Sequence, residues 1–398
     1  MTSRIVIIRF GWMPFIDVNL KYMIDALCAM GMDVTYIKSR SRALGIDDEP
    51  HPVARCDYFR LQCRRLKAVP LLGRVAGPLT WIEYVFRTVW KGLRTSPGLV
   101  TAYGLDSLLP AWIVARLKGA KLFFYSEELY TDRPGVPMKP FWNWLERRLI
   151  GKADLICTCE PNRSRVLQER YGLDATPMSV LNVPPRQEPP ARRDKIRRYL
   201  NEHGLPGADA KVIYYHGWVS PGRCADRFVE ALQWIERDAI LFLVGPIEDD
   251  FKGRLLEQAR AQGVDGRVVI RGMVPTAELL EYAASAHVGL QVQRNEGLNN
   301  YYCAPNKLFQ YMAMGVPVIA SNFPGMIDVV EGNQVGVCVD PDDSRQIADA
   351  ANRILADDEQ WRAMSANAVR AAQERYCYEV EGKKLLDALC EMVGHGHD

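Results

Sequence analysis

The sequence predicts an α/β protein built from two doubly wound, parallel-sheet, Rossmann-like domains that face each other across a cleft. Short apolar runs alternate with helical stretches along residues 4–170, and the same alternation starts again at residue 211. Strands that alternate with helices in this way form parallel sheets covered on both faces. Between the two series, residues 183–190 contain four prolines in eight residues, which disfavours helix and strand alike.

The first half begins with an apolar run at residues 4–10, which has the length of a buried strand. A stretch with helical spacing follows at 18–30 and ends at Gly31, a residue that commonly terminates helices. The remaining elements follow the same two patterns. Strands are expected at 33–37, 99–102, 121–125 and 154–158, and helices at 106–117, 140–150 and 162–170.

The second half repeats this order after the proline-rich stretch. Strands are expected at 211–216, 239–244, 267–271, 287–291 and 317–320. Helices are expected at 191–203, 224–236, 251–261, 276–285 and 306–314, and in most of the tail 343–393. We therefore expect a first domain over 1–185, a second over 186–372, and a C-terminal helix within 373–398 that returns to the first domain.

Composition excludes several classes of protein. The chain has 398 residues, 48% hydrophobic residues and a formal net charge of +2, which argues against a disordered chain and against a dedicated nucleic-acid binder. No apolar run reaches the roughly 18 residues of a membrane-spanning helix, and no secretory leader is evident. The ten cysteines fit neither a disulfide framework nor a zinc site, so we expect reduced thiols in the cytoplasm.

Pro305 and Lys307 stand at the predicted start of the helix 306–314. Proline suits a first helical turn because its missing N–H would be unpaired there anyway. The free N–H groups and the dipole at that end attract anions, so a lysine there is disfavoured unless an anion binds beside it. Lys307 therefore indicates an anion site, and the alternative is a surface lysine on an amphipathic helix.

A second phosphate-type feature is the turn after the strand 211–216, which contains His216, Gly217, Gly222 and Arg223. The two glycines allow the backbone to approach a ligand closely, and a guanidinium group donates paired hydrogen bonds to a diphosphate. Taken alone, Arg223 is more often a solvated turn residue, and His216 is more often a packed strand end. Two cations at the starts of two helices in one domain favour a shared diphosphate.

Residues 52–97, here called the basic–aromatic segment, hold nine Arg or Lys residues and two acidic residues. Between them stand apolar and aromatic side chains: Tyr58, Phe59, Leu71, Leu72, Trp81, Tyr84, Val85, Phe86 and Trp90. This composition is typical of a surface that meets anionic lipid. The alternative is an amphipathic helix that caps the first domain, and nucleic-acid binding has no other support.

The second half resembles the GT-B glycosyltransferases, specifically their large retaining family 4. The resemblance is carried by Gly245-Pro246 and by residues 269–275, 280–290, 305–311, 315–321 and 336–342. The first half is similar to the same enzymes at Leu105-Asp106 and at residues 125–130, 144–148 and 159–161. The resemblance implies the GT-B fold and transfer of a sugar from a nucleotide-diphosphate donor, without a metal or another cofactor.

The resemblance also implies roles for matching positions. Arg223 and Lys307 match contacts to the donor diphosphate, and Gly11 lies in the first strand–helix loop, which faces donor and acceptor. Backbone groups of Gly272, Met273 and Val274 match the part that holds the nucleobase. The predicted donor-binding set is completed by Asn299, Asn300, Asn306 and Gln310, together with His216 and Gly217 from the turn described above.

Several positions depart from the family's pattern. Gln310 stands where a Glu commonly accepts hydrogen bonds from the ribose, and Tyr302 stands at the first Glu of the E-x7-E pattern. Glu127-Glu128 replaces a His-Glu pair, and Trp218 replaces a second basic residue near the diphosphate. Gln310 still accepts a hydrogen bond through its carbonyl oxygen but carries no charge.

Glu127 and Glu128 follow the strand 121–125, at the carboxyl end where parallel sheets bind ligands. We expect them either in acceptor binding and base catalysis or as a solvated loop pair. Asp106 is either an acceptor contact or a helix N-cap.

These observations favour a retaining glycosyltransferase that uses a UDP- or GDP-sugar and a lipid-linked or other glycan acceptor, in cell-surface polysaccharide or glycolipid synthesis. It is expected in the cytoplasm, at the inner face of the membrane through residues 52–97. A non-catalytic protein of the same fold that binds a nucleotide sugar or a partner enzyme is the alternative, and an epimerase on that fold is a third hypothesis.

Overall fold

The computed structural model describes residues 4–11, 18–40, 50–68, 73–191, 193–236 and 238–394. The chain forms two compact units: unit 1 is Met1–Leu181 with Glu381–Asp398, and unit 2 is Asn182–Val380. The units therefore change at 181/182 and 380/381, where we expected domain boundaries at 185/186 and 372/373. Residues 182–191, which contain the prolines, form neither helix nor strand.

Unit 1 is a seven-stranded sheet with helices on both faces, in the order β3-β2-β1-β4-β5-β6-β7. Its strands are β1 (Arg4–Arg9), β2 (Asp33–Ser39), β3 (Arg55–Phe59), β4 (Leu99–Tyr103), β5 (Lys121–Ser126), β6 (Leu155–Thr158) and β7 (Met178–Ser179). Its helices are α1 (Val18–Ala29), α2 (Gly73–Gly92), α3 (Leu108–Lys118), α4 (Lys139–Leu149) and α5 (Pro161–Tyr171). All pairs of neighbouring strands in this sheet are parallel.

Strand β1 illustrates why its sequence is apolar throughout. Val6 and Ile8 pack with residues of α2, α3 and α4 in one core, while Ile5 and Ile7 pack with α1 in the core on the opposite face. The last helix of the chain (Tyr378–Val393) contributes Leu385 to that second core. A central strand with helices on both faces has no polar face, which matches the near-continuous apolar runs of parallel sheets.

Unit 2 is a six-stranded parallel sheet in the order β10-β9-β8-β11-β12-β13. Its strands are β8 (Lys211–His216), β9 (Ala239–Val244), β10 (Val268–Gly272), β11 (Val288–Gln291), β12 (Val318–Ser321) and β13 (Gly336–Val339). Its helices are α6 (Lys195–Glu202), α7 (Ala225–Ala231), α8 (Asp249–Ala261), α9 (Thr276–Ala284), α10 (Leu298–Tyr301), α11 (Asn306–Ala313), α12 (Pro324–Val330), α13 (Ser344–Ala356) and α14 (Asp358–Glu374); α15 is Tyr378–Val393.

The strand order of each sheet reverses once. The reversal lies between β1 and β4 in unit 1 and between β8 and β11 in unit 2. In doubly wound sheets, the helices leave toward opposite faces at this point and open a crevice at the carboxyl ends of the two strands. The two doubly wound parallel sheets confirm the predicted fold class and direct attention to these two crevices.

The basic–aromatic segment differs from its prediction. It contains β3, a 3-10 turn at Cys63–Ala68 and α2, while residues 69–72, with Leu71 and Leu72, lie outside the described residues. Phe59 and Tyr84 belong to the core of unit 1 and are not part of an exposed surface. Sequence alone does not separate these inward aromatics from outward ones, because both alternate with basic residues.

Other elements also differ from their predictions, and β7, α12 and β13 were not predicted. The helix expected at 224–236 is α7, which is shorter and begins after Cys224 turns the chain with a φ of +57°. Helix α10, four residues long, was not predicted. Its sequence, one leucine, two asparagines and one tyrosine, carries no helical apolar spacing.

Glu146 of α4 provides a test of the packing in unit 1. Burial raises the pKa of Glu146 to about 7, although the Tyr171 hydroxyl donates a hydrogen bond of 2.6 Å to its Oε2. In the unfolded chain the carboxyl titrates near pH 4.5. The folded protein therefore holds an extra proton between these values, and its stability falls as the pH rises from 4.5 toward 7.

We expect Glu146→Gln to remove this pH dependence. The free energies of unfolding of the variant and the parent should be similar at pH 4.5, and the variant should be more stable by up to about 3 kcal/mol above pH 7. Urea unfolding at several pH values measures both. A difference between the two proteins that does not change with pH would contradict the assignment.

Candidate functional site

The crevice of unit 2 begins with a glycine turn after β8. Gly217 follows His216, the last residue of β8, with a φ of +124°, which glycine adopts without strain. A Cβ on Gly217 would lie 3.1 Å from Lys307 Nζ. A Cβ on Gly245 would lie only 2.0 Å from the Gly217 carbonyl oxygen. The lack of a side chain at Gly217 therefore lets the Lys307 ammonium group approach the turn. The lack of one at Gly245 lets the backbone of Gly217 pack against it.

Lys307 lies in the first turn of α11 and points toward this turn. Its Nζ donates a hydrogen bond of 3.1 Å to the Tyr215 hydroxyl and lies 4.2 Å from the centroid of the Tyr215 ring. Burial, followed by the positive charge of Arg223, holds the pKa of Lys307 well below its usual range. The structure thus brings together Arg223 and Lys307, which the sequence predicted to act on one ligand.

Neither cation of this site, Arg223 or Lys307, forms an ion pair with a carboxylate in the described ranges. The Glu296 carboxylate lies beside Gly222, the neighbour of Arg223. Helix α11, of eight residues, has no side-chain cap at its N-terminus. Two cations and an uncapped helix N-terminus therefore form a site suited to an anion with several oxygen atoms.

Gln293, which the sequence reasoning missed, fixes Arg223. Arg223 Nη1 donates a hydrogen bond to Gln293 Oε1. Gln293 Nε2 in turn donates to the Asn300 carbonyl oxygen at 3.1 Å and to Cys303 Sγ at 2.9 Å. Gln293 therefore links the cation to the segment that contains Asn300. A glutamine just after a buried apolar strand was the available signal.

His216 is a neutral imidazole held by Gln310. Its Nε2 lies 2.8 Å from Gln310 Oε1. Because the amide oxygen only accepts hydrogen bonds, Nε2 carries the proton and Nδ1 is the acceptor. Burial, with the charge of Lys307 as the second cause, lowers the pKa of His216 to about 3. Both predicted donor-site residues are thus near Lys307, and they are paired with each other.

Buried polar atoms without a protein partner surround α11. They are Nδ1 of His216, both amide atoms of Gln291, and Oδ1 of Asn306. His216 and Gln291 are the last residues of the neighbouring strands β8 and β11. Burying such groups unpaired is costly, so this concentration of them marks a place where a ligand or ordered water completes the hydrogen bonding.

The remaining predicted donor residues of unit 2 spread along the same edge of the sheet. Gly272, with a φ of +75°, ends β10, and its carbonyl oxygen accepts a hydrogen bond of 2.8 Å from Gly245 N. Met273 is exposed and Val274 half-buried, and β10 is separated from β8 by β9. Asn299 is buried in α10. None of the contacts of Arg223 and Lys307 described above involves these residues.

The crevice of unit 1 is a pocket of about 60 Å³ at the carboxyl ends of β1, β4 and β5. Arg9 contacts Glu127, at 3.5 Å between Nη2 and Oε2, and its guanidinium carbon lies 4.7 Å from the centroid of the Tyr103 ring. Arg133 Nη1 lies 2.6 Å from Glu128 Oε2. Glu127 and Glu128 therefore line a pocket of unit 1 as ion-paired carboxylates, whereas Arg223 and Lys307 belong to unit 2.

Gly11 occupies a different position in unit 1. Its N–H donates to Ser39 Oγ at 2.9 Å, and its carbonyl oxygen accepts a hydrogen bond of 3.1 Å from Arg64 Nη2. A Cβ at Gly11 would lie 1.7 Å from the Ser39 carbonyl oxygen. Close packing against β2 therefore requires glycine here, and Gly11 is absent from the lining of the pocket.

The part of the chain that the structure describes lacks a metal-binding cluster and a membrane-spanning helix. No group of three or more His, Cys, Asp or Glu side chains there is arranged to hold a metal ion. No helix in the described ranges combines the length and the apolar character that crossing a bilayer requires.

Two family models match the chain. The model "Glycosyl transferases group 1" matches residues 210–357, and "Glycosyl transferase 4-like domain" matches residues 17–184. The two matches fall in unit 2 and unit 1, respectively, apart from the last residues of the second match.

Curated relatives are similar over most of the chain. D-inositol 3-phosphate glycosyltransferase of Thermobispora bispora is 26% identical over 63% of this chain, which spans 59% of that relative's length. GDP-mannose-dependent alpha-(1-6)-phosphatidylinositol monomannoside mannosyltransferase of Mycobacterium tuberculosis is 27% identical, covering 77% of this chain and 76% of that protein.

Solved structures share the fold. HepE of Anabaena, in complex with UDP and glucose, superposes with a TM-score of 0.74 at 16% identity, covering 98% of this chain and 100% of the other. Sucrose-phosphate synthase from Thermosynechococcus elongatus superposes with a TM-score of 0.77 at 19% identity, covering 99% and 100%. Both matches support the GT-B fold.

The glycine turn beside Lys307 is open to a direct test. We expect Gly217→Ala to lower the free energy of unfolding by about 1–3 kcal/mol, because a side chain is strained at this φ, and to weaken pyrophosphate binding by displacing Lys307. Urea unfolding and calorimetric titration with pyrophosphate measure the two effects. Gly253→Ala is the control, because Gly253 is exposed within α8 with nothing near its Cβ position.

The control should gain about 0.5–1 kcal/mol of stability and bind pyrophosphate as the parent does. Unchanged pyrophosphate binding by Gly217→Ala would show that the turn does not position Lys307.

Proposed function

Because the chain belongs to the group 1 glycosyltransferases of the GT-B fold, we propose that it transfers a hexose from a nucleotide-diphosphate sugar to a lipid-linked or other glycan acceptor, with retention. The observation that carries the proposal is the pair Arg223 and Lys307, which meet at the N-terminus of α11 without an ion pair to any described carboxylate. A diphosphate supplies the missing negative charge and keeps Lys307 protonated.

In the proposed reaction, the bond between the anomeric carbon and the diphosphate oxygen breaks, and a bond to an acceptor hydroxyl oxygen forms. Arg223, Lys307 and the free N–H groups of α11 stabilise the negative charge that develops on the departing diphosphate. We propose retention because of the family resemblance. In a retaining reaction of this type, the proton of the acceptor hydroxyl passes to an oxygen of the departing diphosphate, on the same face of the sugar as the new bond. In other transferases a metal ion stabilises the charge of the departing diphosphate. Here the charges of the protein would do so, and we therefore propose no cofactor.

The names of the relatives support the type of acceptor. They are described as acting on inositol 3-phosphate and on a phosphatidylinositol monomannoside, and the HepE complexes contain UDP. These names support our proposal that the reaction belongs to cell-surface polysaccharide or glycolipid synthesis, with a UDP- or GDP-sugar as donor.

A non-catalytic nucleotide-sugar-binding protein is the second candidate, and Gln310 favours it. Gln310 Oε1 already accepts a hydrogen bond from His216, so the amide offers less to a ribose than the carboxylate that the family commonly has here. Tyr302, at the position of the other family carboxylate, is also uncharged.

We expect Arg223→Ala and Lys307→Ala each to lower kcat/KM by roughly 10–1000-fold, because each removes one preorganised charge from the leaving group. The measurement is release of nucleoside diphosphate from UDP-, GDP- and ADP-sugars, with and without a lipid-extract acceptor. Arg197→Ala is the control, since Arg197 forms an exposed ion pair with Asp209.

The same assay separates the two candidates. An unchanged kcat/KM in both variants would show that Arg223 and Lys307 do not stabilise the leaving group. Tight binding of one donor by the parent protein, with no turnover on any acceptor, would establish the binding protein instead of the enzyme.

The proposed membrane surface is the outer face of α2. Five exposed apolar side chains follow its helical spacing, and Phe86 is the most exposed at 74%: Val75, Leu79, Ile82, Phe86 and Trp90. Arg94 lies over the Trp90 ring, 3.4 Å from its centroid. Such a stripe beside solvated cations is typical of helices that lie in a lipid interface.

Only part of the basic–aromatic segment contributes its charge to this surface. Lys91 is paired with Asp57, and Arg64 donates hydrogen bonds to backbone carbonyls of Arg40 and Gly11. Among the side chains of this segment that the structure describes, the exposed arginines are Arg55, Arg60, Arg65 and Arg94. They supply the attraction to anionic lipid.

Helix α4 extends the surface, which the sequence reasoning did not anticipate. Phe141 packs against Trp81 of α2, with ring centroids 5.3 Å apart, and lies 6.2 Å from the exposed Trp144. We therefore propose that α2 and α4 together hold the protein at the cytoplasmic face of a membrane, where it meets a lipid-linked acceptor.

We expect Phe86→Glu to reduce binding to anionic vesicles by about 10–100-fold, because a buried aromatic side chain is worth roughly 1.5–3 kcal/mol. Flotation with phosphatidylglycerol vesicles at low and high salt measures the binding. Leu117→Glu is the matched control, since Leu117 is 64% exposed on α3 of the same unit.

Binding should also weaken at high salt, where the arginines are screened. No flotation of the parent protein at low salt, or equal losses in the two variants, would refute the assignment of this surface.

A further inference from the structure

We propose that Gln293 and Arg294, the second and third residues after β11, are positioning residues that hold Arg223 in place for the donor diphosphate. Gln293 orients the guanidinium group of Arg223, and Arg294 holds the backbone of the turn at residues 220–223. The inference rests on the proposed function, which supplies the diphosphate. The contacts of these two consecutive residues carry it.

The backbone of Gln293 is fixed although β11 has already ended. Its N–H donates a hydrogen bond of 2.8 Å to Ser321 Oγ, and that hydroxyl donates to the Gln293 carbonyl oxygen at 2.9 Å. Ser321 is the last residue of the neighbouring strand β12, and both residues are buried. One buried hydroxyl thus satisfies both backbone groups of Gln293, which otherwise would lack strand partners.

The side-chain amide of Gln293 has only one orientation that satisfies its neighbours. Its Oε1 accepts a hydrogen bond from Arg223 Nη1, and its Nε2 donates to the Asn300 carbonyl oxygen at 3.1 Å and to Cys303 Sγ at 2.9 Å. A guanidinium nitrogen only donates and a carbonyl oxygen only accepts, so the reversed amide would lose both bonds. Gln293 therefore holds Arg223 in one direction.

Arg294 holds the turn from which the Arg223 side chain extends. The Arg294 N–H donates to the Gly222 carbonyl oxygen at 3.0 Å, and its Nη1 donates to the Pro221 carbonyl oxygen at 2.7 Å. Its guanidinium group is itself held by Asp226 at 2.7 Å and Asp342 at 3.2 Å. The turn and the side chain that it carries are thus fixed by two adjacent residues.

Arg223 needs such support because it lies near a second cation. The positive charge of Arg223 is, after burial, the next cause of the low pKa of Lys307, so the two groups repel each other. The amide of Gln293 holds the guanidinium group against this repulsion without neutralising it. A carboxylate at position 293 would pair with Arg223 and reduce the charge that a diphosphate can use.

The test measures dissociation constants of pyrophosphate by calorimetry for Gln293→Leu, in the parent protein and in an Arg223→Ala background. We expect the substitution to weaken binding about tenfold in the parent but less than about twofold in Arg223→Ala, because Gln293 acts through Arg223. Gln373→Leu is the matched control. It also removes a side-chain amide, which donates to Glu188 at 2.8 Å, and should change pyrophosphate binding in neither background.

Gln293→Glu separates positioning from packing, because it keeps the size of the side chain and adds a negative charge. We expect it to weaken pyrophosphate binding more than Gln293→Leu does, by roughly 100-fold relative to the parent. A role in packing alone predicts the opposite order, and urea unfolding shows whether each variant is folded. Equal losses for Gln293→Leu in the two backgrounds, or milder loss in Gln293→Glu than in Gln293→Leu, overturns the proposal.

Pyrophosphate binding requires no donor sugar and no turnover. Coupling between Gln293 and Arg223 in a protein that turns over no donor would support this inference while the proposed transferase activity fails. Donor turnover that depends on Arg223 but not on Gln293 would support the enzyme while this inference fails.

Discussion

Helices cover both faces of both sheets, so the central strands must be largely apolar. In β9 every residue from Ala239 to Val244 is buried, and in β1 only the two terminal arginines are partly accessible. Charged side chains of such central strands therefore lie at or next to the strand ends. The two reversals of strand order give these ends room for a ligand, and the cation site and the pocket follow from that single constraint.

The parts of the molecule that sequence predicts well depend on local signals. The alternation of apolar runs and helical spacing is such a signal, and it led to two doubly wound sheets. A lysine at the start of a helix and an arginine after a glycine turn are also local, because the helix dipole makes them anomalous without reference to any partner. The structure indeed brings Lys307 and Arg223 together, while their roles in catalysis stay predictions.

The parts that sequence did not predict depend on which segments pack together. Gln293 fixes Arg223 only because the end of β11 lies beside the turn after β8. Arg64 is one of nine basic residues in its segment, yet it turns inward to backbone carbonyls. Trp144 joins the surface of α2 only through the contact between Phe141 and Trp81. The spacing of residues along the chain does not indicate which of these segments pack against each other.

Helix α2 separates two tasks between its faces. Trp81 and Tyr84 on the inner side hold the segment of Asp106 and Ser107, and Ile82 and Phe86 on the outer side are exposed. The outer positions are consequently free to vary without disturbing the pocket wall. Substitutions on the outer face of α2 would therefore change which surface or partner the protein binds. The same substitutions would leave the residues that form the pocket of unit 1 unchanged.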